Sequence, residues 1–429
     1  GQPWTPCATE GPRLDLDFPP YGRSEEEDLQ GEEPQPPGIQ LGAEGAGTLG
    51  VPPVHHRQAA SHRVSQLRLV QRPASHRSRL VARGGPRPTG DAFDALPVAV
   101  DAMGGDKAPD QIVKGARQVV ESSAIKVLLV GLTGGMGDTG GLPLLECSEV
   151  IGMEDDPGQG VRRKKDSSLV RAAEAVRDGK AMAMVSAGNT GATMASALLR
   201  MGRLPGVIRP AIATPIPDLK KAHPTVMLDA GANAEATSAM LLQFAQMGAA
   251  YSTKRYGVVR PRVALLSIGE EKSKGTPLIK ETHAILAEGG HGDFDFVGNV
   301  EGRDFFEDQA DVIVTDGFTG NVALKTLEGT LRFLLDTLTG IFSEPEVADA
   351  AGILLPHLLP LGATLDPEST GGAMLLGVDG VCVISHGSSS SVAMVNAITV
   401  AHDVAVDGLV DAVAASVRTG SPDLAATDG

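Results

Sequence analysis

Seven times between residues 98 and 389, a short apolar run breaks directly into a polar turn containing glycine. No other feature restricts the possible fold as much. The apolar runs cover residues 97–100, 126–130, 181–185, 225–228, 263–268, 294–297, 312–314 and 381–384. They are nearly continuous rather than alternating, which suits strands buried on both faces. Helix-period segments lie between them at 111–121, 168–177, 192–201, 239–250, 277–287 and 322–338. This alternation predicts an α/β fold with a mainly parallel sheet covered by helices.

The turns carry the chemistry. After Val100 come Asp101, Gly104 and Gly105. After Val185 come Ser186, Asn189 and Thr190, and after Leu228 come Asp229 and Asn233. Ile268 leads into the turn that holds Lys274, and Val297 leads to Asn299 and Glu301. Val314 precedes Asp316, Thr319 and Asn321, and Ile384 precedes His386 and a Gly-Ser-Ser run. In parallel sheets a ligand binds beyond the carboxyl ends of the strands, so seven such turns are expected to line one cleft. Glycine lets backbone N–H groups approach an anion, and each helix start adds partial positive charge. Any single Asp, Asn, Ser or Thr here is equally explained as a helix cap.

Three groups stand out singly. Arg162-Arg163-Lys164-Lys165 precedes Asp166 and two serines at a helix start. In a chain of net charge −16 this is either a solvated face or a docking point for a phosphate or an acidic carrier. Lys274 is a candidate contact for phosphate or an oxyanion, or an ordinary surface lysine. His386 is a candidate acid/base or donor, or a group bonded to backbone. The loop Gly131–Gly137 superficially resembles a dinucleotide loop, but no helix clearly follows it. No P-loop, nucleophile elbow or His-Glu-x-x-His motif is present, and no Asp/Glu/His cluster has metal-ligand spacing. Neither a metal nor a cofactor is expected.

Apolar residues make up 42% of the chain but aromatics only 3%, so the core must be aliphatic. No run of about 18 apolar residues exists to span a bilayer. The acidic balance argues against nucleic-acid binding. Cys7, Cys147 and Cys382 form no C-x-x-C pair, so a reducing cytoplasm is the simplest compartment.

Residues 1–95 are different material. Acids cluster between Glu10 and Glu44, and eight arginines follow from Arg57 to Arg87 with no acid among them. The segment buries too little apolar surface to offset its ordering entropy, so a disordered extension is expected over 1–95. A transit peptide and a mis-assigned start near Leu96 remain alternatives. The expected body is 96–417, followed by a flexible tail at 418–429.

The turns, in this order, resemble the bacterial phosphate acyltransferases, the acyl-carrier-protein:phosphate transacylases of phospholipid synthesis. The resemblance rests on blocks 98–106, 162–168, 186–192, 228–233, 298–304, 315–322 and 386–389, and spans nearly all of 98–405. It implies a three-layer α/β/α sandwich like that of isopropylmalate dehydrogenase, without a nicotinamide. It implies transfer of a fatty acyl group from acyl carrier protein to inorganic phosphate, giving acyl phosphate for a downstream glycerol-3-phosphate acyltransferase. It further implies a cytosolic homodimer in peripheral contact with the membrane. The chain departs from the family at Lys107, where many members have histidine, and in a short, glycine-rich 131–145. It also lacks the family's Pro-Glu-His after Asn233.

Phosphate is an anionic nucleophile and a thiolate is a good leaving group, so no serine or cysteine nucleophile is required. The protein must position two anions and stabilise an oxyanion. Lys274 is the expected neutralising group, and Asp316 is expected to orient it or a proton path. Asn189, Asn233 and Asn321 are expected to orient acyl or pantetheine amides. The apolar stretch 353–365, broken by Pro356 and Pro360, is expected at a membrane surface or a dimer interface. Two other functions fit the residues: a short-chain acyl-coenzyme A:phosphate transferase, and a non-enzymatic membrane scaffold.

Overall fold

The computed structural model describes residues 95–218, 220–365 and 367–419, together with Phe93. All belong to the second of two units into which the chain divides, Ser78–Gly429. The extension expected over 1–95 lies outside the described residues apart from Phe93 and Ala95. Of the tail expected at 418–429, Arg418 and Thr419 are described, and they complete the last helix.

Eleven strands form one sheet in the order β3-β2-β1-β4-β11-β10-β5-β6-β9-β7-β8. They are β1 Val98–Asp101, β2 Val127–Gly131, β3 Leu144–Glu146, β4 Ala183–Ser186, β5 Ala211–Ile216, β6 Thr225–Leu228, β7 Arg262–Leu266, β8 Asp295–Val300, β9 Val312–Val314, β10 Ala373–Leu376 and β11 Val381–Ile384. Successive side chains enter opposite layers, as a pleated strand requires. Val98 and Val100 join one core while Ala99 joins the other, and Val226 and Leu228 are split from Met227 in the same way.

Helices cover both faces. On the first lie α1 Asp110–Ser122, α5 Ser238–Tyr256, α6 Pro277–Ala287, α9 Ser391–Val406 and α10 Leu409–Thr419. On the second lie α2 Pro157–Arg163, α3 Ser168–Arg177, α4 Thr190–Arg200 and the first turns of α7 Gly317–Phe342. An eighth helix in chain order, α8 Ala348–Leu365, follows α7. The expected three-layer sandwich is therefore present. Residues 131–143 hold no helix, so the glycine-rich connection that resembled a dinucleotide loop is only a turn between β2 and β3.

The expectation of one cleft beyond one sheet edge needs correction. β10 runs antiparallel to both β11 and β5, and β5 runs antiparallel to β6. Hence β1, β2, β3, β4 and β11 point one way, and β6, β7, β8 and β9 point the other. The glycine turns therefore fall into two groups that leave the sheet from opposite ends of its strands. The stretch 353–365 is also not broken: α8 continues through Pro356 and Pro360. Among the described residues no single helix is long and apolar enough to cross a membrane.

Candidate functional site

The first group sits at the carboxyl ends of β1, β4 and β11. Asp101 is buried and accepts from Ser186 Oγ at 2.7 Å and from the Met103 N–H at 3.2 Å. Burial pushes its carboxyl above the ordinary range, against the opposing pull of hydrogen bonds from Ser168, Ser186, Met103 and Gly104. Ser186 Oγ in turn accepts from the Gly188 N–H at 3.0 Å. Gly104 packs so tightly on this turn that a Cβ there would stand 2.7 Å from the Gly188 nitrogen. The Asp106 N–H donates to the Gly387 carbonyl at 2.8 Å and ties the β1 turn to the β11 turn.

Two expected ligand contacts in this group are already committed. Asn189 Oδ1 accepts from the Ala192 N–H at 3.0 Å, and its Nδ2 donates to the Met153 carbonyl at 2.8 Å. It caps α4 and pins the 153–155 turn, so its amide does not orient a substrate. In the basic cluster, Lys164 bonds Asp155 and the Val150 carbonyl, whereas Arg162, Arg163 and Lys165 are exposed. His386 is exposed, and its Nδ1 faces the Ser388 N–H at 3.3 Å and the Ser388 hydroxyl at 2.8 Å. Because a backbone N–H can only donate, the neutral ring keeps its proton on Nε2, which is left to donate outward. Thr190 is exposed at the start of α4, and Gly105 is half-buried.

The second group sits at the carboxyl ends of β6, β7, β8 and β9. Asp229 is fully buried and accepts from the N–H groups of Ile212, Gly231, Ala232 and Asn233 and from Asn233 Nδ2. Burial nevertheless pushes its carboxyl up. The Asn233 amide nitrogen donates to Asp229 and to the Pro210 carbonyl, each at 2.8 Å, so that end of the amide fastens the turn. Asp316 caps α7, accepting from the Thr319 N–H at 2.9 Å and hydroxyl at 2.8 Å, and makes no bond to Lys274. Its expected partnership with Lys274 is replaced by this capping role. Thr319 and Asn321 stay exposed on the first turn of α7. Glu301 forms a capping box with Asp304 and pairs with Arg303.

The Lys274 turn is differently built. Its backbone is fixed by a bond from its own N–H to the Glu271 carbonyl at 2.9 Å, and its stem folds over Gly269. The ammonium is exposed and forms no ion pair among the described residues. Behind the turn, Asn299 is buried and donates to the Glu271 carbonyl at 3.1 Å, while its Oδ1 has no partner there. Ser267 Oγ at the end of β7 is likewise buried and unpartnered. Buried polar atoms left unpaired are costly, so both oxygens are open to a hydrogen bond from a bound group. Ser267 escaped the sequence reading, although a polar residue inside the apolar run 263–268 was a visible sign. Among the described residues no group of side chains could hold a metal ion.

Neither described cysteine is poised as a nucleophile. Burial pushes the Cys147 thiol up to about 11 and the Cys382 thiol up to about 12. The thiolate fraction at pH 8 is then on the order of 0.1% or less. In a Cys7→Ser background, iodoacetamide at pH 8 is expected to label the folded chain far more slowly than the chain in guanidinium. Equal rates would show that these thiols are open to attack.

Fold and turns together define a three-layer α/β/α protein with glycine-bearing turns at its strand ends and no activated cysteine among the described residues. Residues 96–411 match the family model described as fatty acid synthesis protein. The phosphate acyltransferase of Heliobacterium modesticaldum is 46% identical over 314 residues, 71% of this chain and 92% of that protein. That of Myxococcus xanthus is 46% identical over 323 residues, 73% of this chain and 91% of that protein. A phosphotransacetylase from Streptococcus pyogenes shares the fold, with a TM-score of 0.50 at 16% identity over 72% of this chain and 94% of its own. The chain belongs to the phosphate acyltransferase family and is an acyltransferase.

Proposed function

We propose that the chain moves a fatty acyl group from the phosphopantetheine thioester of an acyl carrier protein to inorganic phosphate. A phosphate oxygen attacks the thioester carbonyl. The tetrahedral oxyanion collapses, the C–S bond breaks, and the thiolate leaves to take up a proton. The products are acyl phosphate and the free carrier thiol. The observation that supports this most directly is the Lys274 turn, whose ammonium forms no ion pair among the described residues and which is backed by two buried, unpartnered side-chain oxygens, Asn299 Oδ1 and Ser267 Oγ. It offers positive charge and fixed dipoles to an anion without any covalent participant.

We place the reacting centre at the Lys274 turn. The Asp101, Ser186 and His386 turns belong to the other group: β4 and β7 are six steps apart in the sheet order, about 29 Å, so His386 is not assigned to the same phosphate.

Purified chain, long-chain acyl carrier protein and phosphate are expected to yield a hydroxamate on trapping with hydroxylamine, together with one free thiol per acyl group. Thiol release only from short acyl-coenzyme A would favour the short-chain transferase, and no phosphate-dependent thiol release would favour a scaffold. Arg162, Arg163 and Lys165 are the cations available to the acidic carrier. The acyl phosphate suits a glycerol-3-phosphate acyltransferase as its consumer, in the same cytoplasm.

The contact with a second copy is assigned to the α7–α8 hairpin. Beyond Leu327, α7 exposes Phe333, Leu334, Leu335, Leu338 and Ile341, and α8 exposes Ile353, Leu354 and Leu355. Phe333 is 68% and Ile353 70% exposed. So large an apolar surface calls for a partner. Phe333→Asp with Ile353→Asp is expected to halve the mass measured by light scattering, and an unchanged mass would remove the homodimer from this surface. Peripheral membrane contact is the alternative role of α8, and equal vesicle flotation of wild type and Ile353→Asp/Leu354→Asp would reject it.

A further inference from the structure

A pocket of about 570 Å³ opens where α4 ends and β5 begins, lined by Leu198, Arg203, Ile208 and Arg209. Its walls are of two kinds. Leu198 and the exposed Ile208 are apolar. Arg203 lends its aliphatic stem, because its guanidinium donates to the carbonyls of Val207 and Ile208. Arg209 is different: it is exposed and forms no ion pair among the described residues. Most arginines of the body are paired, for example Arg171 with Asp166 and Glu174, Arg200 with Glu174, and Arg262 with Asp308 and Asp311. Such a pocket fits a molecule with one anionic end and a compact apolar body.

Its position ties it to the Lys274 turn. Arg209 adjoins Pro210, whose carbonyl holds Asn233 of the β6 turn. The N–H of Gly317, at the β9 turn, bonds the Asn233 carbonyl, and Phe318 beside it is 66% exposed. The β7 turn with Lys274 comes next in the sheet order. From the start of β5 to the end of β7 is three strand steps, about 14 Å. A phosphopantetheine arm has about thirteen chain bonds between phosphorus and sulfur. That is a little over four peptide residues, or about 15 Å when extended.

We propose that Arg209 and the Leu198–Ile208 pocket form the subsite for the phosphate end of the carrier's phosphopantetheine arm. Arg209 holds the phosphodiester, the apolar walls take the dimethyl-substituted carbon next to it, and the arm passes Phe318 to present its thioester at Lys274. This rests on the transacylase reading above for the identity of the thiol carrier. The carrier's protein surface is a separate contact, left to Arg162, Arg163 and Lys165.

The test is calorimetric binding of phosphopantetheine to the full chain, which needs no turnover. Wild type is expected to bind it at least tenfold more tightly than pantetheine, which lacks the phosphate. Arg209→Ala is expected to weaken phosphopantetheine ten- to a hundredfold, the range for a charge-assisted contact to phosphate, and Arg209→Lys to restore part of the loss. With acyl-phosphopantetheine as substrate, Arg209→Ala is expected to raise KM and spare kcat. The subsite is overturned if Arg209→Ala binds phosphopantetheine as wild type does. It is also overturned if the variant raises the KM for inorganic phosphate instead, which would make Arg209 a contact of the second substrate. Tight, Arg209-dependent binding without any acyl phosphate formed would leave the subsite standing and sink the transacylase reading instead.

Discussion

Lys274→Ala is expected to lower the rate of acyl phosphate formation at saturating phosphate and saturating acyl carrier protein by about a hundred- to a thousandfold. That is the usual effect of removing one preorganised donor from a developing oxyanion, about 2.7–4 kcal/mol of barrier. Saturation is essential to the argument. If the ammonium served only to collect phosphate, its loss would raise the KM for phosphate and leave kcat intact. If it stabilises charge that appears only as the thioester carbonyl becomes tetrahedral, kcat itself falls. Lys274→Arg keeps the charge but replaces a compact point cation with a planar fork, so it is expected to recover only part of the loss. The fold gives no reason for Lys274→Ala to unfold the chain, since the side chain is exposed and unpaired among the described residues; an unchanged melting temperature is the control. Wild-type kcat in the variant would remove Lys274 from the chemistry. Asp316→Ala makes a useful contrast. Its carboxylate caps α7, so the expected loss is about 0.5–2 kcal/mol of stability and not a specific loss of kcat.

The sequence was informative wherever a local pattern had one structural meaning. The apolar runs at 225–228, 312–314 and 381–384 are strands with those bounds, and 168–177 and 277–287 are helices with those bounds. The strands that escaped notice include the two that matter most for topology. β5 is Ala-Ile-Ala-Thr-Pro-Ile, half of it β-branched but interrupted by a proline that argues against a strand interior. β10 is Ala-Met-Leu-Leu, which favours helix as readily as strand. Those two strands reverse the direction of the sheet. Missing them led directly to the picture of seven turns on one edge. The same limit governs the site. Asn189, Asn233 and Asp316 have the residue types of ligand contacts, but the chain uses them to fasten its own turns, and only tertiary partners such as Met153 and Pro210 reveal that. Lys274 remained a candidate for the opposite reason: nothing among the described residues claims its charge.

The β6 and β9 turns are interlocked so closely that Gly320→Ala is expected to be among the most destabilising single substitutions in the body. A Cβ at residue 320 would lie 1.9 Å from the Asp229 carbonyl oxygen and 3.0 Å from both the Asp229 carbonyl carbon and Thr315 Cγ2. The closest obstacle is backbone, so no rotamer change relieves it. That backbone is itself fixed: the Asp229 N–H donates to the Thr315 carbonyl at 3.0 Å, and the Asp229 carboxylate holds four backbone N–H groups. Either α7 moves away from the sheet or the Asp229 turn opens and leaves a buried carboxylate short of donors. Overpacking typically costs about 1–3 kcal/mol, and partial loss of such a buried network adds to it. Gly329, on the same helix, has nothing within 4 Å of its Cβ position. Gly329→Ala is therefore expected to stabilise α7 by about 0.5–1 kcal/mol through helix propensity alone. Paired chemical denaturation curves test the claim by sign. Gly320→Ala should shift the midpoint down and Gly329→Ala up. A Gly320→Ala midpoint at or above wild type would mean that the two turns are not locked together, and the placement of Asp229 and Asn233 as internal fasteners would fall with it.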